Sequence, residues 1–408
     1  MDPAVSEAAL ITRLRRDFGD AAVEAAPGRV PRISPNSTQA VADLCGFAHR
    51  EELRVRIEGQ ASWMPPDAPA DLALATRRLQ RITDLAARDL VASVESGITV
   101  TTLNGELAAQ GAWLAIDPPG DRARSLGSVI ATGTAGPLRH GYGPIRDHLL
   151  GITAVTGDGR VVRAGGKVVK NVAGYDLTRL QVGGFGAFGI VTEAHLRLCA
   201  VPAGHAILVT RGERDALTYQ ARTLMEESFE CAVMELTSPR APGDGWTLRL
   251  DLVGAPEAIQ GETARLLSQP EPRWTGLSGA EAAAQSGVHA ELAMRAPVSI
   301  RLGVFADSLD EVLDLLQQRL GPGIVSAGAG RGTLRWSGAA NPADLLELRR
   351  TLAAREIPLT LERGPWELRR SVGHFGDYRE GVSGLVPRLR AIFDPDARLV
   401  VALEAAPS

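Results

Sequence analysis

The sequence predicts an α+β chain in two parts, the second an antiparallel sheet, on three observations. Glycine is concentrated between 120 and 189, where 16 of 70 residues are Gly, against 44 in all 408. Beyond Pro202 that density falls, and stretches of period 2 and period 3.6 alternate in a regular order. Hydrophobic residues make up 45% of the chain, enough for packed cores in more than one domain. A glycine-dense first part can wrap a long ligand closely, and a regular second part can pack.

Residues 1–24 read as an N-terminal helix, amphipathic and Arg-bearing, without the continuous apolar run of a secretion signal. Ser37 caps a helix whose apolar residues Ala40, Val41, Leu44, Phe47 and Ala48 share one 3.6-period face. Val55 and Ile57 alternate with Arg54, Arg56 and Glu58 in a short strand that opens into Gly59-Gln60-Ala61-Ser62. A strand over 90–95, a helix over 99–110 and a hairpin over 152–163, turning on Gly157-Asp158-Gly159, come next. Ile190, Thr192, Ala194, Leu196 and Leu198 alternate with Glu193, His195 and Arg197, which is a half-buried strand. The main boundary lies near residue 200.

After it, strand 206–209, helix 213–227, strands 232–236 and 246–252 and helix 256–267 form one unit. Strand 298–304, helix 309–320, strands 324–327 and 333–336, helix 344–354 and strand 359–361 repeat the β-α-β-β-α order. Two such units side by side make one open antiparallel sheet with helices on one face, a ferredoxin-like arrangement. The Ala-rich stretch 274–297 lacks alternation and reads as an inserted loop and helix.

The 44 Lys and Arg nearly balance 48 Asp and Glu, for a net charge of −4, which excludes an electrostatically driven nucleic-acid binder. Cys45, Cys199 and Cys231 have no spacing for a local iron–sulfur or zinc site and read as reduced, buried thiols. No apolar run approaches the roughly 18 residues of a membrane helix, so a cytoplasmic location is expected.

Gly184-x-Gly186-x-x-Gly189 has the spacing of the dinucleotide fingerprint. That fingerprint needs a helix after its glycines, and here a strand follows, so a Rossmann domain is rejected. His374-Phe375-Gly376-Asp377 places His and Asp three apart, yet nothing nearby completes a set of about three ligands; the stretch reads as a surface loop and no metal is expected. His140 reads first as a hydrogen-bonded structural residue and second as a catalyst. GxSxG, P-loop and HExxH patterns are absent, so hydrolase and phosphotransferase chemistry has no support. No catalytic side chain is assigned.

Four small-residue loops stand out, at 59–62, 125–132, 136–143 and 183–189. Loops bare of side chains let backbone N–H groups approach a pyrophosphate directly. Glycines that serve only turns are the plainer alternative; four such loops separated by strands favour a long, extended cofactor. Only Lys167 and Lys170 are lysines, so 42 of the 44 basic residues are arginine. A position that stays Lys in such a chain points to a need for a compact ammonium rather than a planar guanidinium. Lys170, close to Asn171 and Tyr175, is expected to order the cofactor core, by pairing with Asp176 or by lying toward the cofactor's negative charge. Lys167 carries the scarcity argument alone.

The run Lys170-Asn171-Val172-Ala173-Gly174-Tyr175-Asp176-Leu177, with Arg179-Leu180 and Gly189-Ile190-Val191-Thr192, resembles the signature of the FAD-binding subunit of glycolate oxidase. That family belongs to the vanillyl-alcohol-oxidase/p-cresol-methylhydroxylase (PCMH) type of FAD-binding domain. Asp117-Pro118-Pro119-Gly120, the segment 126–143 and Arg146-Asp147-His148-Leu149-Leu150-Gly151 are similar to it as well. The likeness is specific over 30–202 and weak beyond. Leu389-Arg390-Ala391-Ile392-Phe393-Asp394-Pro395 resembles the family's closing helix and Phe-Asp-Pro turn.

The resemblance implies a two-lobed PCMH-type FAD-binding domain over 25–202, a ferredoxin-like cap over 203–365 and a C-terminal segment over 366–408 that returns to the first domain. It implies FAD held without a covalent bond, since no His occupies the first loop. Gly59, Gln60, Ala61 and Ser62 would take the pyrophosphate with Ser125, Gly127 and Ser128. Ala131, Thr132, Gly136, Gly141 and Tyr142 would line the isoalloxazine side, Ile190 and Val191 would use backbone groups near the adenine half, and Gly189 would be cofactor-binding beside them. Pro118 and Lys170 complete the implied cofactor set.

The implied chemistry is oxidation of glycolate, a small 2-hydroxy acid, to glyoxylate. Electrons would pass on with a second FAD subunit and an iron–sulfur subunit as partners, any membrane association running through them. The chain departs from the family at Ala61 and Ser128, where glycine is usual, and at Leu399-Val400-Val401, where Asn-Pro-Gly is usual. It has no good copy of the His-rich metal-binding motif of the related catalytic subunit. A flavin subunit is therefore expected, with a stand-alone FAD-dependent 2-hydroxy-acid dehydrogenase and a structural subunit that has lost its flavin as the alternatives.

Overall fold

The computed structural model describes residues 7–120, 123–166, 176–239, 241, 243–330, 332–376 and 382–405. Lys167, Lys170, Asn171, Tyr175 and Asp377 lie outside them.

In the first part, Ser37 has extended backbone and its side chain accepts from the Ala40 N–H at 3.1 Å, which starts the helix Thr38–Arg50. Val41, Leu44, Phe47 and Ala48 of that helix share a core with Leu14, Ile33, Val55, Leu72 and Leu74. The strands here lie in the order Val23–Glu24, Arg32–Ile33, Leu72–Ala75, Val55–Glu58. Leu72–Ala75 is parallel to both its neighbours and buried at all four positions, as a strand covered on both faces must be. A second, wholly antiparallel sheet runs Ile82–Ala86, Val91–Glu95, Ile190–Arg197, Leu149–Val155, Val161–Gly165. Its core, with Val94, Leu103, Leu107, Val129, Ile152 and Leu196, makes a second lobe.

The second part is one eight-stranded sheet. Across it the strands run Thr275–Leu277, Gly204–Gly212, Trp246–Gly254, Val233–Thr237, Ile324–Gly328, Thr333–Gly338, Val298–Gly303, Leu359–Arg363. Every neighbouring pair is antiparallel. The order is a palindrome: each β-α-β-β-α unit contributes four strands, and the units meet where Val233–Thr237 pairs with Ile324–Gly328. This is the expected ferredoxin-like sheet. The stretch read as an inserted loop and helix holds in addition the edge strand Thr275–Leu277, which pairs with Ile207, Leu208 and Val209. Three residues centred on a glycine carry no alternation, so no periodicity could announce it.

Alternation sorts the two faces of this sheet. Met234, Leu236, Leu248, Leu250, Ile300, Leu302 and Leu334 share one apolar core with Leu217, Leu224, Leu266, Val312, Leu316, Leu345 and Leu348 from four helices. The residues between them, Glu235, Arg249, Asp251, Ser326, Arg335 and Arg301, point the other way and are mostly buried. Helix Gly279–Arg295 lies on this polar side, where Arg249 donates to the Gln285 carbonyl at 3.2 Å. The same face meets the first part: Arg301 donates to Gly133 O at 2.7 Å and Arg335 to Ala135 O at 3.1 Å.

After helix Trp366–Val372 the chain turns back on the first part. His374 N–H donates to Ala402 O at 2.9 Å, and Val55 and the 398–400 run exchange backbone bonds of 2.8 and 2.9 Å.

Candidate functional site

A cleft of about 1100 Å³, solvent mouth included, runs between the lobes of the first part and the returning C-terminal run. Its first wall is the 59–62 loop. Gly59 is required there because a Cβ would stand 2.3 Å from Ser125 Oγ. Ala61 sits in the left-handed region at φ 55°, a conformation that favours glycine. Gln60 Nε2 donates to Gly97 O at 3.0 Å and pins the loop. Among the described residues nothing accepts from the backbone N–H groups of Gln60, Ala61 and Ser62, so this loop offers an anion three donors.

The second wall is helix Leu126–Thr132, presenting Gly127, Ser128, Ala131 and Thr132. Its own first-turn amides are already engaged. Leu126 N–H donates to Ile98 O at 2.9 Å, Gly127 N–H to Ser96 O at 2.7 Å and Ser128 N–H to Ser125 Oγ at 3.3 Å. Of these two walls, the loop is the one with amides to give. Gln181, Phe185, Gly186, Gly189, Ile190 and Val191 form the third wall. It is tied to the second by Gly183 N–H to Ile130 O at 3.0 Å and Phe185 N–H to Ala131 O at 2.7 Å.

Trp63, Arg369, His374 and 400–402 close the cleft. Trp63 is buried, and its Nε1 has no hydrogen-bond partner among the described residues; such an orphaned donor calls for an acceptor from a ligand. His374 corrects the surface-loop reading: it is 2% exposed and its ring stacks on Phe185 at 3.8 Å. Nδ1 lies 2.9 Å from Leu361 O and so carries the proton. Burial, aided by Arg369 and Arg349, pushes His374 down to about 3, and the imidazole is neutral. Glu58, also in the cleft, is compensated by Arg32 and Arg56, each 2.8 Å away. Among the described residues no group of three or more His, Cys, Asp or Glu could hold a metal ion.

Of the residues expected from the sequence, Gly59, Gln60, Ala61, Ser62, Gly127, Ser128, Ala131, Thr132, Gly189, Ile190 and Val191 line this cleft, with Ser125 directly behind Gly59. Pro118, Gly136, Gly141 and Tyr142 are placed elsewhere. Gly136 is pressed on Asp117, where a Cβ would meet its carbonyl at 1.9 Å. Gly141 donates to Ala232 O at 3.0 Å, and Tyr142 packs edge-on against Trp113 with centroids 5.3 Å apart. Pro118 is half-buried in its turn. Lys170 lies outside the described residues. Trp63, Phe185, Arg369 and His374 were not expected; Trp63, one of six tryptophans, directly follows the small-residue loop and is the one that a scarcity argument could have found.

Residues 32–165, which hold the first two walls, match the family described as FAD binding domain. The chain contains an FAD-binding domain. The matched segment holds both the loop with open amides and the orphaned Trp63 indole donor. The first part is 40% identical over 127 residues to glycolate oxidase subunit GlcE of Escherichia coli, covering 31% of this chain and 35% of that protein. It is 32% identical over 176 residues to the probable mitochondrial D-lactate dehydrogenase of Danio rerio, covering 42% and 35%. Glycolate oxidase subunit GlcD of Bacillus subtilis is 34% identical over 131 residues, 32% of this chain and 28% of that protein. The chain thus matches about a third of the length of these curated relatives. A solved alkyldihydroxyacetonephosphate synthase superposes over 98% of this chain and 85% of its own with a TM-score of 0.71 at 14% identity, a likeness of fold. Among the described residues no helix is long and apolar enough to cross a membrane.

Proposed function

We propose that this chain is the FAD-binding subunit of a glycolate-oxidase-type assembly, with a small 2-hydroxy acid, glycolate, as the compound oxidised. The observation that carries it is the set of uncommitted N–H groups on Gln60, Ala61 and Ser62 facing the same cleft as the orphaned Trp63 indole. Pro118, Gly136, Gly141 and Tyr142 remain part of the proposed cofactor set from the resemblance, and Lys170 from the scarcity of lysine. Bound FAD supplies acceptance of a hydride from the carbon bearing the hydroxyl and one-at-a-time release of the electrons.

The chain's own residues bind, orient and exclude water. The 59–62 amides hold the pyrophosphate without a basic side chain at each oxygen. His374, fixed as the Nδ1–H form by the Leu361 carbonyl, is too weak a base to act as proton acceptor near neutral pH and serves as a rigid polar wall with Phe185. A second FAD subunit and an iron–sulfur subunit are the proposed partners, by analogy with the relatives named as glycolate oxidase subunits.

The test is the visible spectrum of the purified chain, then bleaching of its flavin band by glycolate, alone and with the partner subunits. A yellow protein bleached only in the assembly supports the reading, and one bleached alone is a stand-alone dehydrogenase. Ala61 at φ 55° favours a second reading, a structural subunit that has lost its flavin. Colourless protein whose Tm ignores added FAD would establish it.

A further inference from the structure

The stretch 60–70 covers one side of the FAD cleft as a single layer. Trp63 and Ala68 are buried on its inner side, while Ala61, Pro66, Asp67 and Pro69 face solvent. It holds three prolines, Pro65, Pro66 and Pro69, which donate no backbone hydrogen bond and suit neither a helix interior nor a central strand. Among the described residues no backbone-to-backbone hydrogen bond begins or ends within it. The other walls are built differently: Gly127 N–H is bonded to Ser96 O, and Phe185 N–H to Ala131 O. A segment tied through side chains alone opens at lower cost than the elements that flank it.

Those ties divide by place. At its ends the segment is fixed to the first part, where Gln60 Nε2 donates to Gly97 O at 3.0 Å and Arg56 donates to Ala68 O at 2.9 Å. Between these points, every hydrogen bond made by 63–67 among the described residues goes to the far end of the chain. Arg363, the last residue of edge strand Leu359–Arg363, donates to Trp63 O at 3.0 Å. Arg369 donates to Pro65 O at 3.1 Å and to Asp67 Oδ1, and the Trp366 N–H donates to Asp67 Oδ2. Arg369 is itself held by donating to Gly364 O at 2.8 Å. Its side chain is 7% exposed against 38% for Asp67, so water reaches the pair from the Asp67 side. On the inner side, the Trp63 ring stacks on the Arg124 guanidinium at 4.7 Å.

We propose that 60–70 is a strap that lifts for FAD to enter or leave the cleft, hinged at Gln60 and Ala68 and latched by Asp67 on Arg369 and the Trp366 amide. The inference rests on FAD as the ligand of the cleft and on nothing about the compound oxidised. The first part holds the cofactor, and the second part with its following helix supplies the catch. The latch is made with or without FAD, so breaking it favours the lifted strap equally in both states. Uptake and release then speed up together while the affinity stays. A strap that were only a wall of the site would instead speed release alone and weaken binding in proportion.

The experiment measures both rates by flavin fluorescence, as FAD leaves the loaded full chain and as chain stripped of FAD takes it up again. Asp67→Asn keeps an acceptor for the Trp366 amide and removes the charge that faces Arg369. Both rates are expected to rise roughly three- to tenfold, the range of a half-exposed ion pair, with Kd within about twofold of wild type. Arg363→Gln, which releases the Trp63 carbonyl and leaves Asp67 untouched, should act in the same direction, and it decides the matter if Asp67→Asn lowers Tm. Faster release alone with Kd weakened in proportion, or two unchanged rates, overturns the latch and leaves the flavin reading standing. A colourless chain that takes up no FAD overturns both.

Discussion

Gly59 and Ser125 approach so closely that a Cβ on Gly59 would stand 2.3 Å from Ser125 Oγ. That hydroxyl cannot simply rotate away, because it caps helix Leu126–Thr132 by accepting from Ser128 N–H. Gly59→Ala should therefore push the 59–62 loop off the helix and lower both Tm and flavin content. Ser125→Ala alone should cost about 1 kcal/mol through the lost cap. Combined with Gly59→Ala it should restore much of the flavin, since the next contact, Ser125 Cβ, lies at 3.5 Å. Denaturant melts and absorbance of the three variants decide it; a double variant no better than Gly59→Ala would show that the two loops are not coupled.

Ala61 holds a left-handed backbone at φ 55°, which costs a residue with a Cβ roughly 1–2 kcal/mol. Ala61→Gly removes that cost and also clears the way to the loop's open N–H groups. The greater chain entropy of glycine in the unfolded state offsets part of the gain, about 0.5–1 kcal/mol. The expected outcome is a small rise in Tm without FAD and a larger one with it. Equal shifts in the two conditions would mean that position 61 does not face the cofactor.

Much of this molecule is legible in the chain because its signals are local. Ser37 followed by a 3.6-period face announces a helix, and Leu248, Leu250 and Leu252 interleaved with Arg249 and Asp251 announce a strand with one apolar and one polar face. The first two walls of the cleft are legible for the same reason, being contiguous runs of small residues. His374 and 400–402 are not, because tertiary packing brings them from the far end of the chain against Phe185 and the loops of the first part. Gly136 and Gly141, expected in a ligand loop, lie outside this cleft in close approach to Asp117 and Ala232. Glycine density marks close packing, and only geometry tells which packing faces a ligand.

His374 predicts acid sensitivity. Burial first, then Arg369 and Arg349, holds its folded-state value at about 3 against an ordinary 6.5. Between those values the unfolded chain binds a proton that the folded chain refuses, so stability rises with pH across the window and falls as pH drops through it. The slope for one such proton is about 1.4 kcal/mol per pH unit. Urea unfolding of wild type through this range should show it, and His374→Phe, which keeps a ring against Phe185, should flatten it. An unchanged slope in the variant would assign the acid sensitivity to other groups.

Glu362 provides the opposite charge logic at the junction of the two parts. Burial would raise its carboxyl, but Arg335 at 2.7 Å and Arg301 at 3.3 Å outweigh that and hold it below the usual range. A carboxylate so lowered stabilises the fold above its unfolded value, and that contribution is lost as pH falls through the folded one. The same two arginines donate to Gly133 O and Ala135 O, so the ion cluster also fastens the sheet to the FAD-binding domain. Glu362→Gln leaves the buried Arg335 and the half-buried Arg301 guanidinium groups short of a counter-ion and should cost about 3–5 kcal/mol. Removing both charges of the closer pair, Arg335→Met with Glu362→Leu, should recover part of the loss, because an apolar pair carries no desolvation penalty. Denaturant unfolding followed by tryptophan fluorescence measures both variants. A double variant less stable than Glu362→Gln would show that the carbonyl contacts, rather than charge neutrality, are what join the two parts.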